Sequence, residues 1–368
     1  MPHSSSPSLA PAFDRGRFAD RVIRWQLHSG RHSLPWQGTH DAYRIWLSEI
    51  MLQQTQVHAV LGYYSRFLER FPTLTVLAAA TLDEVMPFWA GLGYYSRARN
   101  LWACAREVQA RYGGQFPADL AHLEALPGIG RSTAGAIAAL AFGRRAAILD
   151  GNVRRVLSRV FGIEGDLTQG TVLREVWSLA ENLLPKGDGI GPYTQGLMDL
   201  GATVCTRARP RCEACPLASD CIARLEERVR DLPQARRRLV RPTREHRWLI
   251  LQQASSIWLE RRPERGIWGG LWSLPELELG ADVIQSIRYR GLNPKGLQDL
   301  PVIEHGFTHF VLRAYPVQID VEGGSLNHAD HAGHAGQTAP QGQWLDQAEV
   351  ASKALPKPVA ELLRKLRK

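Results

Sequence analysis

Four cysteines, Cys205, Cys212, Cys215 and Cys221, crowd into a C-x6-C-x2-C-x5-C run in a chain of 368 residues that holds only five. Thiols at this density point to shared metal ligation in a reducing compartment rather than to a disulfide framework, and the odd total agrees. Thiolates ligate both zinc and iron–sulfur clusters. Zinc ribbons usually present two short knuckles, and only one C-x-x-C occurs here, which favours a [4Fe-4S] cluster of structural rather than reactive character. The first loop of the run also carries Arg207, Arg209 and Arg211. A fixed cluster would present those three cations to a phosphate backbone.

The charge of the whole chain points the same way. Forty-five Lys and Arg against 36 Asp and Glu give a net charge of +9, which suits a polyanionic partner, either nucleic acid or an anionic membrane surface. No run of about 18 apolar residues is present, so nothing in the sequence spans a bilayer as a helix. The N-terminal MPHSSSPSLAP lacks the basic start and apolar run of a secretory signal and reads as a flexible polar tail over residues 1–12, which implies a cytoplasmic protein. The length suits two domains, and 44% hydrophobic residues are enough to fill them.

Residues 13–230 read as helix after helix. Between Ala42 and Phe71, Trp46, Ile50, Val57, Leu61 and Tyr64 recur at helical spacing, with a break predicted near Gln53-Gln54-Thr55. Glu49 falls roughly 100° from the centre of that stripe, at the rim of the core. Leu120–Leu126 and Ser132–Phe142 are predicted helices joined by Pro127-Gly128-Ile129-Gly130, a helix-hairpin-helix pattern. Amides around Gly128 and Gly130 open the second helix, and helix N-termini take phosphate without reading sequence, although a Pro-Gly turn by itself is more often plain connection. Residues 231–244, with prolines and the basic Arg236-Arg237-Arg238, form a linker. From 245 to 368 the texture changes to short apolar segments at Trp248–Leu251, Ile257–Leu259 and Phe310–Tyr315 between Gly/Pro turns, with a closing helix at Pro358–Leu366. Residues 323–342 form a Gly/Ala/His/Gln-rich insertion whose His328, His331 and His334 lack a cysteine or carboxylate framework and read as a solvated loop.

Two carboxylates stand in opposite settings. Asp150, in Ile148-Leu149-Asp150-Gly151-Asn152, precedes a helical run from Val153 to Phe161 and by itself reads as an N-cap. A carboxylate held by helix amides is expected to stay ionised. An ionised carboxylate is what a developing oxocarbenium ion at a sugar carbon needs. Glu49 lies beside Trp46 and Ile50, where partial desolvation would raise its pKa toward the range of a general acid. Divergent environments of this kind make an acid and an electrostatic partner.

Leu34-Pro35-Trp36, the stretch from Trp46 to Thr55 (WLSEIMLQQT), Gly91-Leu92-Gly93-Tyr94-Tyr95-Ser96-Arg97, Leu126-Pro127-Gly128-Ile129-Gly130, Asp150-Gly151-Asn152-Val153 and the four cysteines together resemble the helix-hairpin-helix DNA glycosylases, and within them the MutY adenine DNA glycosylases. The resemblance covers most of residues 25–221. It implies a multidomain protein, an all-α helix-hairpin-helix glycosylase domain with its iron–sulfur loop at 205–221, followed by an α+β Nudix-like domain. It further implies hydrolysis of the N-glycosidic bond of adenine opposite 8-oxoguanine or guanine in duplex DNA, by a monomer in base-excision repair. Glu49 would protonate the leaving adenine, Asp150 stabilise the sugar cation, and Asn152 position the catalytic groups. Gln54, Thr55 and Tyr94 would contact DNA, with Gln54 and Tyr94 entering the base stack as adenine flips out.

Strand-cutting relatives carry a lysine nucleophile just after the hairpin, where this chain has Ser132. A hydroxyl cannot form an imine, so base removal without strand cleavage is expected. An endonuclease III-like strand-cutting enzyme and a non-catalytic DNA-binding protein are the competing readings. In the C-terminal half, Gly266-Ile267-Trp268-Gly269-Gly270-Leu271-Trp272 and Leu274-Pro275-Glu276 resemble the Nudix-related domain of the same family. The R-E-x-x-E-E string that holds magnesium in Nudix hydrolases is missing between Trp268 and Pro301. Phe307-Thr308-His309 stands where the family reads 8-oxoguanine with Phe-Ser-His, and threonine keeps the hydroxyl.

Overall fold

The computed structural model describes residues 15–234, 240–264, 266–323 and 342–366. The expectations for the N-terminal tail, for Arg236–Arg238 and for His328, His331 and His334 lie outside the described residues. In chain order the helices are α1 (Arg15–Ser29), α2 (Ala42–Leu52), α3 (Val57–Arg70), α4 (Leu74–Ala79), α5 (Leu82–Trp89), α6 (Ser96–Tyr112), α7 (Leu120–Glu124), α8 (Arg131–Phe142), α9 (Gly151–Val160), α10 (Gly170–Asn182), α11 (Ile190–Asp199) and α12 (Ile222–Leu225). Strands β1 (Thr243–Gln253), β2 (Ser256–Arg261), β3 (Trp272–Ser273) and β4 (Glu276–Glu278) follow. After α13 (Val283–Tyr289) come β5 (Asn293–Asp299), β6 (Ile303–Gly306), β7 (Val311–Glu322) and β8 (Gly342–Leu345), then α14 (Gln347–Ser352) and α15 (Lys357–Lys365). A helical part followed by a sheet-rich part is the fold class that the sequence predicts. Among the described residues no helix is long and apolar enough to cross a membrane.

These elements assemble into two compact units, Met1–Ala79 with Asn100–Arg237, and Ala80–Arg99 with Arg238–Lys368. The second unit is therefore discontinuous, taking α5, the loop after it and the first residues of α6 from within the helical half.

In the first unit, sequence signals set the boundaries. Asp41 caps α2, its side chain accepting from the Tyr43 and Arg44 amides, and the predicted break before α3 falls at Gln53–Gln56. Trp46, Leu47 and Met51 are fully buried along α2, each such burial contributing about 1.5–3 kcal/mol. The core formed by α1, α9, α10 and α11 gathers Phe18, Val22, Val153, Leu157, Val176, Tyr193 and Leu197, and it reaches the cysteine loop through Leu217 and Cys221.

In the second unit one mixed sheet runs β3-β2-β1-β7-β5, with β4 on β1, β6 on β7 and β8 on β2. Its centre is the parallel pairing of β1 with β7, in register from Thr243 opposite Val311 to Gln252 opposite Asp320. Strand alternation divides β1 between two cores. Trp248 and Ile250 face the core covered by Val359, Leu362 and Leu363 of α15. Leu249 and Leu251 face the core covered by Val283 and Ile287 of α13. Thr81 and Glu84 form a capping box at the start of α5. The hydroxyl of Tyr95 donates to the carbonyl of Leu355 at 3.0 Å, and Arg261 holds Asp83 through two hydrogen bonds of 2.9 and 3.2 Å.

Candidate active site and DNA-facing elements

Three helix ends meet around the carboxylates. The last turn of α2 carries Glu49, the first turn of α8 carries Ser132 and Thr133, and the N-terminus of α9 carries Asp150 and Asn152. Gln53 Nε2 donates to Thr133 Oγ1 at 3.3 Å, tying α2 to α8. The Leu149 amide donates to Ser132 Oγ at 2.9 Å, tying α8 to the residue before Asp150. Ser132 thus stitches the hairpin helix to the extended segment that delivers the carboxylate.

Asp150 is the N-cap of α9, and its Oδ1 accepts from the Val153 amide at 2.7 Å. Its Oδ2 accepts from Asn152 Nδ2 at 3.4 Å. The expectation that helix amides keep this group ionised meets a stronger opponent. Burial is the largest influence and raises the carboxyl, outweighing the amides of Val153 and Asn152 and the charges of Arg155 and Arg154, which lower it. Glu49 is also lifted, to about 7, first by burial and then by the negative charge of Asp150. A protonated carboxyl beside a second, hydrogen-bonded carboxylate is the pairing that general-acid cleavage of a glycosidic bond uses.

Arg155 and Arg159, which sequence reasoning passed over, connect this centre to the cysteines. Arg155 Nη2 donates to Asn152 Oδ1 at 2.8 Å and to the Gly201 carbonyl at 2.7 Å, while its Nε donates to the Cys205 carbonyl at 2.8 Å. One turn later Arg159 is only 2% exposed. It donates to the carbonyls of Leu232 and Thr206 at 2.8 and 2.7 Å and to Cys205 Sγ at 3.3 Å. Their i, i+4 spacing on α9 is the signal in the sequence, since it puts both cations on one helix face. Gly201 permits the close approach to α9, because a Cβ there would lie 2.5 Å from Asn152 Cβ.

Cys205, Cys212, Cys215 and Cys221 line one cavity together with Val156, Arg159, Val160, Pro210 and Arg224. Burial and the neighbouring sulfurs raise the thiols of Cys212, Cys215 and Cys221, with Cys215 pushed up to about 12. Among the described residues no three His, Cys, Asp or Glu side chains close on the position of a single ion. Arg207, Arg209 and Arg211 are exposed on the loop between the first two cysteines.

Of the other predicted contacts, Gly128 and Gly130 lie exposed in the turn between α7 and α8, with Ile129 buried between them. Gly128 has φ +76° and a Cβ there would meet Asn100 Cβ at 2.7 Å, so only glycine fits. Gln54 and Tyr94 share an unusual property. Both are exposed and both hold left-handed backbone, at φ 58° and 51°. Such conformations cost non-glycine residues about 1–3 kcal/mol and cluster at functional loops. Thr55 is half-buried beside Gln54, its hydroxyl donating to the Gln53 carbonyl at 3.4 Å. In the second unit Phe307, Thr308 and His309 form the β6–β7 turn, closed by the Phe307 amide donating to the Phe310 carbonyl at 2.9 Å. Thr308 and His309 are exposed at its tip. Phe307 stacks on buried Phe310 with centroids 4.5 Å apart and touches Trp268 and His305 at 5.1 and 4.8 Å.

Comparison with known proteins identifies the family. Residues 47–182 match the HhH-GPD superfamily base excision DNA repair proteins, and residues 247–365 match the NUDIX domain. A curated adenine DNA glycosylase of Buchnera aphidicola is 35% identical, covering 82% of this chain and 86% of its own. The human adenine DNA glycosylase is 33% identical over 94% of this chain and 73% of its own length. This chain belongs to the adenine DNA glycosylase family. A solved thermostable thymine-DNA glycosylase shares the glycosylase's helical fold, with TM-score 0.52 and 31% identity over 58% of this chain and 97% of that one. The α13 helix of this glycosylase, Val283–Tyr289, contains no carboxylate, so the magnesium-holding helix of Nudix hydrolases has no counterpart there.

Proposed function

We propose that this adenine DNA glycosylase removes adenine opposite 8-oxoguanine or guanine from duplex DNA, as a monomer, and leaves the strand uncut. The observation that carries the chemical part is Glu49, raised to about 7 beside Asp150. A carboxyl in that state holds its proton near neutral pH and can pass it to the ring nitrogen of the departing adenine. The C1′–N9 bond breaks with both electrons leaving on the base. Asp150, ionised as the bond opens, offsets the positive charge left on the sugar. Asn152, bonded on one side to Asp150 and on the other to Arg155, fixes the direction of that carboxylate. Water then completes the hydrolysis. Ser132 has no amine to form an imine at the sugar and is engaged by the Leu149 amide, which favours base removal alone over strand cutting.

The four cysteines fit a [4Fe-4S] cluster, since all four line one cavity and Arg159 donates to Cys205 Sγ within it. When bound, such a group supplies structural cross-linking of the 205–221 loop rather than bond cleavage. Protein with the cluster is expected to be yellow-brown, and colourless active protein with stoichiometric zinc would overturn the assignment. Residues 13–230 then carry catalysis and 245–368 carry recognition of the damaged base, with Thr308 and His309 as its exposed polar groups and Gly128, Gly130 and Arg207 toward phosphate.

The test is incubation with duplexes holding adenine opposite 8-oxoguanine, guanine or thymine, with strands resolved before and after hot alkali. Alkali-dependent breaks, fastest opposite 8-oxoguanine, are expected. Breaks without alkali would favour the strand-cutting reading, and binding without release would remove the enzymatic one.

A further inference from the structure

The loop joining α5 to α6 ends in a column of three flat groups. Trp89, the last residue of α5, is fully buried. Arg97, the second residue of α6, is 8% exposed although it carries a cation, and Tyr94 is 47% exposed. The guanidinium carbon of Arg97 lies 5.4 Å from the centroid of the Trp89 ring and 5.4 Å from that of Tyr94. The column therefore runs from an indole in the core, through a planar cation, to a phenol ring at the surface.

The same groups fix the backbone beneath the ring. Arg97 Nη2 donates to the carbonyls of Leu92 and Gly93 at 3.4 and 3.2 Å, and the Trp89 indole N–H donates to the Gly93 carbonyl at 3.2 Å. Gly91, Gly93 and Tyr94 all hold left-handed backbone, with φ of 94°, 79° and 51°. A tyrosine keeps that conformation only where its surroundings over-determine it. Burial lowers Arg97 to about 10, which still leaves it charged at neutral pH.

We propose that Arg97 is a positioning residue for base flipping, holding the Tyr94 ring in its outward pose before DNA arrives, so that the ring enters the base stack without first being ordered. This rests on the reading that Tyr94 enters the stack. Arg97 Nη2 bonds to two loop carbonyls while its guanidinium carbon lies over two rings, an arrangement that orders a neighbour. A planar guanidinium stacks on both sides at once, which a lysine ammonium cannot do. Preorganisation of this kind removes an ordering cost from the binding step.

The test uses a duplex carrying 8-oxoguanine opposite a non-cleavable 2′-fluoro-adenosine, with 2-aminopurine beside the mispair as a fluorescent reporter of unstacking. The parent protein, Tyr94→Ala, Arg97→Met and Arg97→Lys are compared by stopped flow, with circular dichroism melting and affinity for undamaged duplex as controls. Tyr94→Ala is expected to lose the fluorescence rise. Arg97→Lys, which keeps the charge and is the variant best placed to fold, should slow the rise about fivefold or more with melting and undamaged-duplex affinity unchanged, the scale of one desolvated cation–π interaction. Arg97→Met, which also gives up the hydrogen bonds to the Leu92 and Gly93 carbonyls, should slow the rise at least as much, at a lower melting temperature. A parent-like rate in Arg97→Lys or Arg97→Met, with Tyr94→Ala deficient, would overturn the role of Arg97 alone. A parent-like rate in Tyr94→Ala would remove the premise about Tyr94 and the inference with it.

Discussion

The N-terminus of α9 and the β6–β7 turn are built on opposite plans. At α9, polar side chains are half-buried and are held by hydrogen bonds to one another and to backbone. Asp150 is held by Val153 and Asn152, Asn152 by Arg155, and Arg155 by the Gly201 and Cys205 carbonyls. At the β6–β7 turn, rings do the holding. Phe307 rests on Phe310, Trp268 and His305, and the polar Thr308 and His309 stand in solvent. Proton transfer needs a desolvated carboxyl with a shifted pKa, which burial beside a second carboxylate supplies at Glu49. Reading a base edge needs donors and acceptors that are still free to exchange water for the base, which an exposed tip supplies.

The comparison is broken most sharply at Glu49. Glu49→Gln should lower single-turnover adenine excision by about 10²–10⁴-fold while mismatch binding persists, because the amide has the shape and not the proton. Near-parental excision would dismiss Glu49 as the acid. The sign of its pH dependence follows from a folded pKa of about 7 against an ordinary 4.5. Its contribution to folding is fully present below 4.5 and is lost as pH rises through about 7. Excision should accordingly fall as pH climbs past 7. The melting temperature of Glu49→Gln should gain on that of the parent between about pH 5 and about pH 8, and parallel curves would deny the shift.

Asp150→Asn comes next, with a loss of about 10²–10³-fold in single-turnover excision, the scale of removing one preorganised electrostatic group. Because the amide can still accept from Val153, the melting temperature should change little, and an unchanged rate is the adverse result. At the turn the effect is smaller and selective. Replacing Thr308 and His309 with alanine should reduce the preference for adenine opposite 8-oxoguanine over adenine opposite guanine, by about 1–3 kcal/mol for each good hydrogen bond to the base that the substitution removes. Phe307→Ala should instead lower the melting temperature, since its ring packs on buried Phe310. If the double variant keeps the parental ratio, the turn does not read the lesion. The smallest effect is expected from Ser132→Lys, which should yield a trace of borohydride-trapped covalent complex. No trapped product at all would argue that residue 132 does not lie beside the sugar.

Much of this is legible locally. The break between α2 and α3, the turn at Pro127–Gly130, the capping position of Asp150 and the convergence of four cysteines all arise from residues a few positions apart, where spacing and turn chemistry suffice. The direction of the Asp150 shift is not legible, because sequence displays the helix amides and hides the extent of burial. Arg155 and Arg159 stay hidden for a related reason. Most of their partners lie in the 201–232 stretch, and on a helix two arginines one turn apart read as a solvated face. The support beneath Phe307 depends on Trp268, which reaches it only through strand pairing. The three-group column at Trp89, Arg97 and Tyr94 lies within nine residues, yet a left-handed tyrosine has no signature beyond the glycines around it.

The discontinuous second unit has a consequence for how the chain is made. Ala80–Arg99 leaves the ribosome well before the strands it packs with, because Asn100–Arg237 must be translated in between. At about 5–20 residues per second this interval lasts roughly 7–30 s. During that time the first unit can complete its own core, while Tyr95 waits without Leu355 and Asp83 without Arg261. Synthesis that stops before β1 therefore leaves Ala80–Arg99, with its apolar Trp89 and Tyr95, lacking the rest of its unit, a ready substrate for chaperones and proteases.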